Sequence, residues 1–206
     1  MGLIYLPYTD YPETTWENRP LKANTYQIIK VTDIGPADEL FFWTGSRWAP
    51  VNGNIVIAST NTSSSVTGTT SETELGSFVI PGGLMSSNGI LEVSSFWAVT
   101  NSANSKVIRI KLSETTDPVT TGTNFLSRTE TSVLYHQHML IIRNNNSTSA
   151  QVSAPVALGT GFGTSTSTYV SAAVDMATNK KMYLSGILTN TGESVTLRGY
   201  RVVYRE

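Results

Sequence analysis

From about residue 55 onward the chain is a series of short apolar runs, and none keeps helical spacing for long enough to form a helix. That periodicity restricts the fold more than any other feature. The strand candidates are Ile55–Ala58, Leu75–Ile80, Ile90–Val99, Lys106–Leu112, Ser132–Arg143, Gln151–Ala154, Tyr169–Met176, Met182–Leu188 and Val195–Arg205. Turn-forming clusters punctuate them: Pro81-Gly82-Gly83, Ser87-Asn88-Gly89, Asn144-Asn145-Asn146 and Asn190-Thr191-Gly192. Within Lys106–Leu112, Ile108, Ile110 and Leu112 share one face, and Val107, Arg109 and Lys111 share the other. Eight or nine such strands predict an all-β chain whose residues 54–206 form a two-sheet sandwich of jelly-roll type. The polar stretch 61–73 fits either a linker or, from Val66 onward, an exposed strand.

Residues 1–53 form a second unit. Tyr5, Tyr8, Tyr11 and Trp16 lie among Pro7, Pro12 and Pro20, a spacing that forbids a helix and leaves an extended arm. Such an arm cannot bury its own rings. It is expected to lie against another subunit, the alternative being its own domain. Strands are expected at Tyr26–Val31, at Leu40–Trp43 and around Trp48, with a tight turn at Asn52-Gly53. About thirty residues carrying Phe42, Trp43 and Trp48 make too small a core to stand alone, so this module needs a partner surface.

Composition excludes several functions. Charged residues are 14% of the chain, and roughly a quarter is Ser or Thr, which suits β-structure and a hydroxyl-rich surface. The net charge of −1 comes with no basic block, so no nucleic-acid partner is expected. No apolar run approaches a membrane span, and Met1-Gly2-Leu3-Ile4-Tyr5 does not open a signal peptide. The chain has no Cys, which fits assembly in a reducing cytoplasm.

No cofactor and no catalytic group are expected. The glycine-rich run Gly159–Thr164 lacks the lysine of a phosphate loop and the helix of a dinucleotide fingerprint. Glu72, Glu74, Asp33, Asp38 and Glu39 do not pair into the two-acid arrangement of a glycosidase, and no G-x-S-x-G or H-E-x-x-H occurs. Matches to the N-glycosylation pattern at Asn61, Asn145 and Asn146 are chance in a chain this rich in Asn, Ser and Thr.

Two stretches carry a family resemblance. Val31-Thr32-Asp33-Ile34-Gly35, Phe42–Trp48 and Pro50-Val51-Asn52-Gly53 resemble a small hairpin module of phage tail-fibre and head-fibre proteins. Gly68–Leu75, Ile80–Leu84, Asn88-Gly89 and Ala103–Ile110 resemble the start of phage jelly-roll knobs similar to the tumour-necrosis-factor fold. The resemblance implies a virion-associated homotrimer, assembled in the host cytoplasm, with an anchoring N-terminus and an outward knob. It fits a tail fibre or receptor-binding protein, and equally a head fibre or capsid-decorating protein. Partners are then other virion proteins at the N-terminal region and a host surface polysaccharide or protein at the knob. Loops at one end of the sandwich are expected to make that contact, with Asn145, Phe162 and Tyr169 as candidates. Tyr5, Tyr8, Tyr11, Trp16, Phe42, Trp43 and Trp48 are the candidates for anchoring or subunit contact. His136 and His138, two apart on one strand, point to the same face. In a trimer they place six imidazoles around one axis, similar to metal sites at some spike tips. No carboxylate lies beside them in sequence to complete a ligand set, so no metal is expected there.

Overall fold

The computed structural model describes residues 11–114, 119, 122–153 and 169–206. The described residues contain no helix, and hence none long and apolar enough to cross a membrane. Fifteen strands run in chain order: β1 Glu13–Thr14, β2 Ile28–Val31, β3 Glu39–Trp43, β4 Trp48–Pro50, β5 Asn54–Thr60, β6 Ser64–Val66, β7 Thr73–Ile80, β8 Ile90–Val99, β9 Lys106–Glu114, β10 Thr123–Glu130, β11 Tyr135–Asn144, β12 Gln151–Ser153, β13 Val170–Ala172, β14 Lys180–Leu188 and β15 Val195–Arg205. They form three sheets, ordered β1-β2-β3-β4, β10-β9-β14-β7 and β13-β12-β11-β8-β15-β5, with β6 also paired to β15.

The second and third sheets make the β-sandwich. Alternation does the sorting: Leu91, Val93 and Trp97 of β8 and Ile108, Ile110 and Leu112 of β9 are buried between the sheets. The chain crosses from sheet to sheet between β6 and β7, β7 and β8, β8 and β9, β10 and β11, β13 and β14, and β14 and β15. Strands β8 and β15 begin and end where the sequence pattern expects them. Strand β10 is not expected from that pattern, because its inward positions include Arg128 and Glu130.

The four-stranded sheet of residues 13–50 shares its core with the sandwich. Trp16, Ile29, Val31, Ile34, Phe41, Trp43 and Trp48 belong to the same buried cluster as Ile55 and Leu91. Residues 11–20, expected to lie against another subunit, fold instead onto their own chain. The Pro12 carbonyl accepts Lys30 N–H at 2.9 Å, and β1 runs parallel to β2. Trp16 is buried against Phe41 and donates its indole N–H to the Gly82 carbonyl at 2.8 Å. Arg47 and Glu206 form an ion pair that ties the small sheet to the end of β15.

The closest approach of the small sheet is at Gly35, whose φ is +76°. A Cβ there would stand 1.9 Å from the Val56 carbonyl oxygen of β5. Gly35→Ala is therefore expected to destabilise the chain by about 2–3 kcal/mol, through left-handed strain plus a forced separation from β5. Urea denaturation checks this; a loss below about 0.5 kcal/mol would mean the contact is not made.

The sandwich has two distinct ends. Residues 81–89, 145–150 and 173–179 gather at the end beside the small sheet: Asn144 Nδ2 donates to Ser86 O at 2.6 Å, Met176 N to Thr148 O at 2.9 Å and Gly83 N to Met176 O at 2.8 Å. Residues 100–105, 131–134 and 189–194 gather at the other end, joined by Val99 N to Leu134 O at 3.0 Å and Thr100 N to Ser194 O at 3.1 Å.

Candidate functional site

Strand β11 positions two different surfaces, because its side chains alternate across the large sheet. Its register against β8 pairs Tyr135 with Ala98, Gln137 with Phe96 and Met139 with Ser94 on the outer face. His136, His138, Leu140 and Ile142 point inward, opposite Trp97, Ser95, Val93 and Leu91.

The outer face carries an exposed apolar patch at the end away from the small sheet. Phe96 stacks on Tyr135, ring centroids 6.1 Å apart and planes 21° from parallel. Phe96 is 45% exposed, Leu134 49%, Tyr135 55% and Met139 46%, with Val133 beside them. Large apolar side chains clustered on an outer sheet face mark a surface that meets something else. The sequence identifies these strands, but it does not say which face of each is covered.

The inner face holds a polar cluster where β10 passes into β11. Glu130 Oε1 accepts Arg128 Nε at 2.6 Å and stands 3.5 Å from His136 Nδ1. The two imidazoles pack 5.1 Å apart. Both rings are held below their ordinary pKa. For His136 the main cause is burial, which outweighs the nearby Glu130 carboxylate. His138 is brought to about 4, by burial first and then by the His136 and Arg128 charges. Two imidazoles are thus enclosed beside an ion pair. The expectation that no carboxylate accompanies them is corrected: Glu130, six residues before His136, is brought to them by the β10–β11 connection. The inward orientation also removes them from any outer three-fold face.

The remaining candidates are dispersed. Asn145 is exposed at the end that carries the small sheet, opposite Asn190. Tyr169 is 66% exposed just before β13. Trp16, Trp43 and Trp48 are buried within their own chain, and Phe42 and Tyr11 are half-buried. Trp48 donates its N–H to Pro20 O at 2.7 Å. A cavity of about 150 Å³ lies among Trp16, Arg19, Trp43, Arg47 and Trp48, but Arg19 covers the Trp16 ring and Arg47 is paired with Glu206. Tyr5, Tyr8, Phe162 and the glycine-rich run lie outside the described residues.

No family model matches the chain, and no curated protein matches it. Among solved structures it is similar to the CBM2 module of the Lactobacillus casei BL23 phage J-1 evolved Dit, at 11% identity and a TM-score of 0.34, covering 62% of this chain and 67% of that one. Lectin II from Ulex europaeus has 11% identity and a TM-score of 0.33, with coverages of 57% and 74%. The VP2 subviral particle of infectious bursal disease virus has 14% identity and a TM-score of 0.31. There 91% of this chain is covered, and the chain spans half of that one. Likeness at this level says nothing about function.

Proposed function

We propose that this chain is a non-enzymatic structural protein of a phage virion, working as a homotrimer in host adsorption. Residues 1–53 attach it to other virion proteins, and residues 54–206 are the outward knob. The order β5-β15-β8-β11 facing β7-β14-β9-β10 supports a jelly roll built from two Greek keys. It agrees with the family resemblance carried by residues 68–110. The observation that carries the assembly is the patch of Phe96, Leu134, Tyr135 and Met139. Three copies packed through that face bury rings that a monomer leaves wet, and three weak receptor contacts then act together. Light scattering is expected to give about three times 22.3 kDa for the wild type. Phe96→Lys and Met139→Lys, which place a charge in the patch without touching the core, are expected to give folded monomers. A stable wild-type monomer would overturn the assembly.

The anchoring role draws on Leu21 and Tyr26, 87% and 76% exposed on the small sheet. Tyr26 also holds φ at +67°, an unfavourable conformation for a bulky residue. Leu21→Ser with Tyr26→Ser is expected to abolish incorporation into particles while leaving the trimer intact; normal incorporation would put the anchor elsewhere. With the small sheet on the virion, the far-end loops 101–105 and 190–192 face outward, and Asn145 sits on the virion side. Asn190→Ala should then weaken adsorption more than Asn145→Ala or Tyr169→Ala. Adsorption unchanged in all three, with the trimer preserved, would favour capsid decoration over receptor binding.

A further inference from the structure

We infer that Glu130, His136 and His138 form a binding site for one divalent transition-metal ion of the zinc type, closed within a single chain at the end of the sandwich away from the small sheet. Each residue offers one ligand atom, and those three atoms lie within 4.8 Å of one another. The 3.5 Å between Glu130 Oε1 and His136 Nδ1 is close to the span between two ligands of a tetrahedral zinc with bonds of about 2.0–2.2 Å. Two imidazoles and a carboxylate suit zinc better than magnesium or calcium, which take all-oxygen shells.

A second observation points to a missing partner. The Nε2 atoms of both His136 and His138 are buried without a hydrogen-bond partner. Orphaned buried polar atoms are rare and unfavourable, so two on adjacent inward rings call for an occupant. The strand pattern agrees. Leu140 and Ile142 continue the same inward row as apolar core, and the row turns polar only where Glu130 faces it. The short connection 131–134 beside the cluster is exposed.

Arg128 has two opposed effects. Its Nε bond to Glu130 Oε1 fixes the carboxylate in place, as an outer hydrogen bond does at many metal sites. Its charge also repels an incoming cation. Arg128 is thus a positioning residue that holds affinity down, and Arg128→Gln should tighten binding.

The test adds zinc chloride to chelator-treated full-length protein and reads calorimetric stoichiometry and Tm. One zinc per chain with a rise in Tm is expected, and magnesium should cause neither. His136→Asn and His138→Asn should each weaken binding at least tenfold, Glu130→Gln by a similar factor, and Arg128→Gln should strengthen it severalfold. Cobalt substitution supplies a readout that does not depend on stability: a visible absorption band of low-symmetry nitrogen and oxygen ligation, absent in His138→Asn. The inference is overturned by no zinc-dependent heat and no Tm shift. It is equally overturned if zinc binds the His136→Asn/His138→Asn variant as tightly as the wild type, which would place the ion elsewhere. If that double variant fails to fold, the cobalt band in His138→Asn alone decides, its persistence counting against the site.

Discussion

Trp16→Ala is expected to lower stability by about 3–5 kcal/mol, the range for removing a buried large aromatic ring. The side chain is 4% exposed, its ring packs on Phe41 at 5.0 Å, and the Arg19 guanidinium lies 3.8 Å from its centroid. Truncation leaves a cavity between the small sheet and the sandwich, and it strips the Gly82 carbonyl of its donor. Trp16→Phe separates these contributions. It keeps most of the ring burial and loses the N–H, so about 0.5–1.5 kcal/mol of its loss belongs to the hydrogen bond. Urea denaturation of both variants measures the difference. A Trp16→Ala loss under about 1 kcal/mol would show that the arm does not belong to its own chain's core.

Glu72→Gln is expected to cost about 3 kcal/mol, because it removes one partner from a buried ionic network. The Glu72 carboxylate accepts Lys111 Nζ and Arg109 Nη1, each at 2.8 Å, and Ser185 Oγ at 2.6 Å. It thereby joins the chain just before β7 to β9 and β14. Lys111 is only 2% exposed, so without Glu72 its charge is left poorly compensated. Replacing both, Glu72→Met with Lys111→Met, should recover most of the loss, since a buried ion pair contributes little net stability over apolar groups of similar size. Equal losses in the single and double variants would contradict the pairing. The network also sets a pH dependence. Burial alone would raise the Glu72 pKa, but hydrogen bonds from Lys111 and Ser185 and the Lys111 and Arg109 charges outweigh it and hold it below 4.5. The folded value is depressed. Its stabilisation is therefore present above the ordinary carboxylate value and is lost as pH falls through the lower, folded one. Thermal melts of the wild type should steepen in that acid window, and Glu72→Gln should flatten them there.

Much of this fold is legible in the sequence because the core faces of its long strands are simple. Ile108, Ile110 and Leu112 alternate cleanly, and β8 and β15 are read to their ends. Strand β10 is not legible, since Arg128 and Glu130 occupy positions where alternation demands apolar residues. That irregularity and the metal candidate have one origin: the strand hidden from a hydrophobicity pattern is the strand that supplies the third ligand. His136 and His138 are visible at once, but the partner that gives them chemistry comes from the opposite sheet. Trp16 shows a different limit. A proline-bounded arm reads as extended, and nothing local says whose surface it covers; burial against Phe41 and Gly82 is decided by tertiary packing. The outer patch was hidden for a related reason. Phe96 and Tyr135 lie on different strands, and only the β8–β11 register makes them neighbours.

The placement of β15 bears on how the chain comes off the ribosome. Residues 195–205 form an interior strand of the large sheet, paired with β8 on one side and with β5 and β6 on the other. Synthesis at about 5–20 residues per second takes roughly 7–28 seconds to go from β5 to its partner β15. Until then β5 waits for a partner some 140 residues downstream, and the facing edges of β5 and β8 stay unpaired. Contacts so distant in sequence fold slowly, and open strand edges in a chain this poor in charge invite pairing with neighbouring nascent chains. A ribosome stalled before residue 195 therefore holds β5 as a lone strand and β8, β11, β12 and β13 as a sheet with an open edge, not a smaller version of the same domain.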